Sequence, residues 1–77
     1  HLEIYPNPAQ QSITLKSPSE ESSLGVSIYD LLGRAVLQQN ILNGGSVEMA
    51  SLANGLYHVV ATTPSGEVFT GKLRKTE

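Results

Sequence analysis

The sequence predicts an all-β fold, an immunoglobulin-like β-sandwich of about seven short antiparallel strands in Greek-key order. Three observations lead there. Short stretches of alternating polarity recur along the whole chain, divided by turn signals at intervals of about eight to twelve residues. Helical period is absent except for one turn before Gly55, which Ser51 is placed to N-cap. Leu52, Gly55 and Tyr57 stand at the spacing of a tyrosine corner, where a Tyr near the start of the sixth strand hydrogen-bonds backbone slightly upstream.

The 77 residues are read as a single domain, 1–77, excised from something longer, since His1 opens almost directly into a strand. Ordinary sandwiches use about 100 residues, so the strands must be short and the turns tight. A core of this size leaves a stability margin of only ~3–5 kcal/mol. The absence of cysteine excludes a disulfide framework and thiolate chemistry without specifying the compartment.

Taken in order, Leu2-Glu3-Ile4-Tyr5 alternates as a first strand and runs into Tyr5-Pro6-Asn7-Pro8. The prolines remove backbone donors and fix φ, so a stiff edge bend is expected, placed to carry the chain between sheets. Either X-Pro bond is open to cis or trans. Ser12 to Lys16 alternates with Ile13 and Leu15 inward, and Ser17 to Ser22 reads as a polar loop. Leu24, Val26 and Ile28 form the inward face of the next strand. Asp30 to Arg34 is a hairpin loop in which Gly33 supplies positive φ, and the strand from Arg34 returns antiparallel. Its facing is ambiguous because Val36 and Leu37 are adjacent. Leu31 and Leu32 are unusual for a solvated tip, and either cap the sandwich or form a contact patch.

Asn43-Gly44-Gly45 is a second turn, and Ser46 to Met49 a short strand with Val47 and Met49 inward. From Tyr57 the pattern puts Tyr57, Val59 and Ala61 on one face and His58, Val60 and Thr62 on the other. Pro64-Ser65-Gly66 turns the chain into a last strand, Glu67 to Arg74, with Phe69 and Leu73 inward. Gly71 between them marks a close approach of another chain segment or a bulge.

The net charge of −2 is unevenly distributed. Lys72, Arg74 and Lys75 fall in the last six positions, while the first 71 residues hold two basic residues against six carboxylates. The acidic body argues against nucleic-acid binding, and no apolar run is long enough to enter a membrane as a helix. No catalytic constellation can be assembled. His58 alternates to the outer face of its strand, Glu20-Glu21 lies in a solvated loop, and no glycine-rich loop precedes a helix. The chain is therefore read as a non-enzyme with no metal and no cofactor.

Three blocks appear in order: Tyr5-Pro6-Asn7-Pro8; Val26 to Val36 with Asp30-Leu31-Leu32-Gly33-Arg34 at its centre; and Leu52-Ala53-Asn54-Gly55-Leu56-Tyr57 followed by Lys72-Leu73-Arg74-Lys75. Together, from about Ile4 to Lys75, they resemble the C-terminal sorting domain (type A) of cargo proteins of the type IX (Por) secretion system of certain Gram-negative bacteria. The resemblance implies an immunoglobulin-like domain that acts as an address label. An upstream cargo domain would reach the periplasm by its own signal. The folded domain would be recognised by the outer-membrane machinery, and a sortase-like peptidase would cut upstream of it. The cargo would end at the cell surface or be secreted.

On that resemblance Tyr5, Pro6, Asn7, Pro8, Gly33, Gly55 and Tyr57 are motif positions whose role is mainly structural. Arg34, Lys72, Leu73, Arg74 and Lys75 are the candidate partner-binding residues, because the fold has no evident need of the basic charges. Thr76-Glu77 extend past the last basic residue, and Lys75 to Glu77 are expected to fray. The receptor would read the folded surface together with an exposed strand edge. Exchange of Leu2 to Tyr5 between copies would give a domain-swapped homodimer at high concentration, which light scattering would detect. The alternative is a fibronectin-III-like accessory or adhesion module binding glycan or protein; a plain spacer is the third reading.

Overall fold

The computed structural model describes residues 2–6 and 11–76. Seven strands run through them: β1 (Glu3–Tyr5), β2 (Ser12–Lys16), β3 (Ser23–Tyr29), β4 (Ala35–Leu42), β5 (Ser46–Glu48), β6 (Gly55–Thr62) and β7 (Val68–Lys75). One sheet has the order β1-β2-β5 and the other β4-β3-β6-β7, with every pair antiparallel. With β1 to β7 taken as strands A to G, the A-B-E and C-F-G adjacencies of an immunoglobulin sandwich are present. The fourth strand lies beside the third instead of beside the fifth. The non-sequential neighbours β2-β5 and β3-β6 carry the Greek-key crossovers.

Alternation decides which side of each strand is buried. Leu24, Val26 and Ile28 of β3 are at most 2 % exposed, as are Val59 and Ala61 beside them on β6. The register stacks these side chains, pairing Val26 with Ala61 and Ile28 with Val59. The opposite sheet contributes Ile13 and Leu15 from β2 and Val47 from β5, with Met49 just beyond it. Apolar area removed from water between the sheets is the main force holding the layers together.

The β3–β4 register explains why the facing of β4 is ambiguous in the sequence. Ile28 pairs with Leu37 and Tyr29 with Ala35, so Val36 is the extra residue of a β-bulge. Leu37 therefore packs against the core, while Val36 stays 38 % exposed. β4 also continues to Leu42, bringing Ile41 onto the core, before the Asn43-Gly44-Gly45 turn.

Two expectations are corrected. The bend at Pro6 does not move the chain between sheets, because β1 pairs with β2 in the same sheet, Tyr5 opposite Thr14. The sheet change comes later, between β2 and β3. Nor does the segment before Gly55 form a helical turn capped by Ser51: it is a tight turn in which Leu52 N–H donates to the Met49 carbonyl at 3.0 Å. Met49 N–H is tied to the Gln11 carbonyl at 2.7 Å, and too few residues remain before β6 to nucleate a helix.

Leu15→Ala empties a fully buried site and is expected to cost ~2–5 kcal/mol, comparable with the whole margin of so small a core. Urea denaturation should show it largely unfolded at 25 °C. Leu42→Ala, at a position 70 % exposed, should shift the midpoint little.

Candidate functional site

Asp30 builds the β3–β4 loop. Its Oδ1 accepts the backbone N–H of Leu32 at 2.9 Å and of Arg34 at 3.0 Å, and Oδ2 accepts Arg34 Nε–H at 3.0 Å. Gly33 N–H donates to the Asp30 carbonyl and Asp30 N–H to the Arg34 carbonyl, both at 3.0 Å. Gly33 takes φ +83°, which a Cβ would disfavour. The bond from Arg34 N–H, reinforced by the guanidinium and by Leu32 N–H, holds the Asp30 carboxyl below its ordinary value against the opposing effect of desolvation. The guanidinium of Arg34 thus has a partner within its own loop. Its side chain is nevertheless 73 % exposed. Leu31 and Leu32 do not cap the sandwich; the loop displays them at 66 % and 79 % exposure.

Tyr57, at the start of the buried face of β6, donates its hydroxyl to the Ala53 carbonyl four residues upstream. This is the contact a tyrosine corner requires. It fixes the turn that carries the chain from β5 into the other sheet and sets where Leu56 and His58 emerge on the outer face.

β7 pairs with β6 so that Arg74 lies opposite Leu56, Leu73 opposite Tyr57 and Lys72 opposite His58. Lys72 and Arg74 are exposed, while Leu73 is 1 % and Lys75 6 % exposed. Two of the expected partner-binding positions thus lie inside the sandwich. Leu73 belongs to the core, and Lys75 shares its inward face because residues two apart on a strand point the same way. Lys75 is the last residue of β7, inside the strand where fraying was expected.

On the outer face a groove of about 270 Å³ opens between Leu31 of the β3–β4 loop, Leu56 and His58 of β6, and Lys72 and Arg74 of β7. Tyr57 and Leu73 also line it, and no carboxylate does among the described residues. A second hollow, bounded by Gly25, Asn40 and Thr62, carries no charged side chain. No group of three His, Cys, Asp or Glu that could hold a metal ion occurs among the described residues.

The family model for the secretion system C-terminal sorting domain matches residues 3–75. The chain belongs to this family. No curated protein matches it. Membership makes the chain a C-terminal sorting signal of type IX secretion, on proteins destined for the cell surface or for secretion, and the family is not an enzyme family.

Within the sorting domain the three sequence blocks meet unequally. The hairpin block and the last block share the groove through Leu31, Leu56, Lys72 and Arg74. Of the first block, Tyr5 is 48 % exposed and the Tyr5–Pro6 bond is cis; Asn7 and Pro8 lie outside the described residues. This block reaches the last one through its neighbour Ile4. A Cβ on Gly71 would come within 2.7 Å of Ile4 Cδ1, so Gly71 is where β1 crosses close over β7.

Sequence reasoning missed two polar organisers at the opposite end. Asn43 Oδ1 accepts Ser17 N–H at 2.9 Å, and Nδ2 donates to the Ser19 and Glu21 carbonyls at 3.1 and 3.2 Å, which shapes the Ser17 to Ser22 loop. Glu21 accepts the Ser65 hydroxyl and, at 3.2 Å, the Ser65 N–H, joining that loop to the β6–β7 turn. The Ser65 hydroxyl, followed by Thr63, lowers the Glu21 pKa. The one available signal was Asn ahead of two glycines, which reads equally well as an ordinary turn former.

Gly33→Ala is expected to cost about 1–2 kcal/mol from the positive φ alone, measurable as a drop in denaturant midpoint. Asp30 gives a pH signature. Because its folded pKa is depressed, its contribution is present above the unfolded carboxylate range and is lost as pH falls through the folded value, below about pH 4. Asp30→Asn should therefore be less stable than the parent at pH 7, with the gap closing on acidification. A constant gap in denaturation at both pH values would show that the ionised loop is not what Asp30 supplies.

Proposed function

We propose that the sorting domain is read in its folded form, through the outer β6–β7 face, by the outer-membrane type IX secretion machinery. In this proposal residues 1–77 are one domain joined to an upstream cargo. The cargo crosses the periplasm in transit, and a sortase-like peptidase then cuts upstream of β1. The observation that carries the proposal is the assembly of the groove. Leu31, Leu56 and the Lys72–Arg74 pair come from three separate segments and adjoin only through strand pairing. An unfolded tail would not present them together.

The test is a reporter with a periplasmic signal peptide fused to these 77 residues. Deleting the last five residues would be a poor probe, because it removes buried Leu73 and Lys75 along with Arg74. Lys72→Ala/Arg74→Ala changes only exposed side chains and leaves buried Leu73 and Lys75 in place. The parent fusion should reach the cell surface, and the double variant should accumulate in the periplasm while its sorting domain still unfolds cooperatively in a thermal melt. Surface display of the variant at the parental level would remove the proposed face from the recognition step.

A further inference from the structure

We propose that the groove takes a short acidic segment of a partner protein, with an aliphatic side chain seated against Leu31 and Leu56 and carboxylates meeting Lys72 and Arg74. The partner chemistry rests on the assignment of this face to recognition made above. Leu56 is 54 % and Leu31 66 % exposed, so the groove shows water an apolar surface that a side chain would cover. The volume of about 270 Å³ lies below the ~300–1,000 Å³ of small-molecule pockets, which favours a protruding side chain over a cofactor-sized ligand. A sugar is disfavoured as well, since Tyr57, the one Phe, Trp or Tyr lining the groove, is 7 % exposed and offers little face for stacking.

Charge selects the flanks of the occupant. The chain as a whole is acidic, at −2, yet Lys72 and Arg74 line the groove and no carboxylate does among the described residues. Basic side chains beside an apolar strip give electrostatic complementarity to an acidic segment and disfavour a basic or neutral one. A second copy of this chain would have to bring a matching acidic-aliphatic stretch. Its adjacent carboxylates, Glu20-Glu21, lack a neighbouring aliphatic residue, and acidic-aliphatic pairs such as Asp30-Leu31 and Glu67-Val68 bring one carboxylate each, that of Asp30 already bound to Arg34.

The experiment is an NMR titration of the isotopically labelled 77-residue chain with the blocked peptide Glu-Asp-Leu-Glu-Asp. Saturable shifts are expected at the Leu31 and Leu56 methyls and at the Lys72 and Arg74 amides. Replacing the peptide's Leu by Ser, or the protein's Leu56→Ser or Lys72→Ala/Arg74→Ala, should each weaken binding about tenfold, an effect within reach of a single contact. The reversed peptide Lys-Lys-Leu-Lys-Lys should not bind. Equal response to the Leu and Ser peptides would overturn the proposal, as would shifts centred on the Gly25–Asn40 hollow. Shifts that grow with protein concentration in the absence of peptide would assign the groove to a second copy and also overturn it. The titration contains no export machinery, so its failure is separable from that of the reporter test. Peptide binding with normal export of Lys72→Ala/Arg74→Ala would refute the recognition face and leave the groove chemistry standing; lost export without peptide binding would refute only the groove chemistry.

Discussion

The two-residue period of β7 is the constraint on which the rest of the molecule depends. Leu73 must enter the core between the sheets, so Lys72 and Arg74 must leave it, and Lys75 must follow Leu73 inward. Antiparallel pairing with β6 then fixes their neighbours, placing Arg74 beside Leu56 and Lys72 beside His58. A slip of one residue would turn every one of these side chains to the opposite face. What the strand presents to a partner is therefore set by what it buries, and the charge of the terminal segment is divided by geometry between surface and interior.

So short a chain holds that register by clamping its turns as well as by filling its core. The sandwich has few large side chains to bury, and several junctions carry a specific polar tie. Asp30 closes the β3–β4 loop, Tyr57 fixes the entry into β6, and Asn43 with Glu21 binds the far loops to one another. Each tie satisfies backbone groups that would otherwise lack partners where the chain reverses or changes sheet. Two of these clamps lie next to the groove. The Asp30 loop holds out Leu31, and the corner sets Leu56 one position before Tyr57, so the elements that stabilise the fold also place the exposed apolar surface.

The fold was legible in the sequence wherever alternation was clean. Leu24, Val26 and Ile28, and likewise Tyr57, Val59 and Ala61, read directly as buried faces, and the Leu52–Gly55–Tyr57 spacing pointed to the contact with Ala53. Where two apolar residues stood side by side, periodicity had no answer: the bulge at Val36 depends on a pairing mismatch with β3 that no local pattern carries. The candidate site was legible only in part for the same reason. Lys72, Leu73, Arg74 and Lys75 look like one basic tip in one dimension, and strand geometry splits them into two faces. Leu56 gave no sign of a role, because its importance comes from lying beside Arg74 and near Leu31, which is a property of tertiary pairing.

A linear address and a folded one make different physical demands, and the arrangement here favours the second. A linear tag needs its informative side chains close in sequence and free of the core. In this chain the terminal basic segment alternates into the core at Leu73 and Lys75, so binding it as an extended peptide would require pulling β7 out of the sheet and exposing apolar surface that a domain of ~3–5 kcal/mol can ill lose. Reading the outer face costs none of that. Under the proposed reading the same coupling would tie the signal to folding: a misfolded domain would scatter Leu31, Leu56 and Arg74 and so lose the proposed face together with its core.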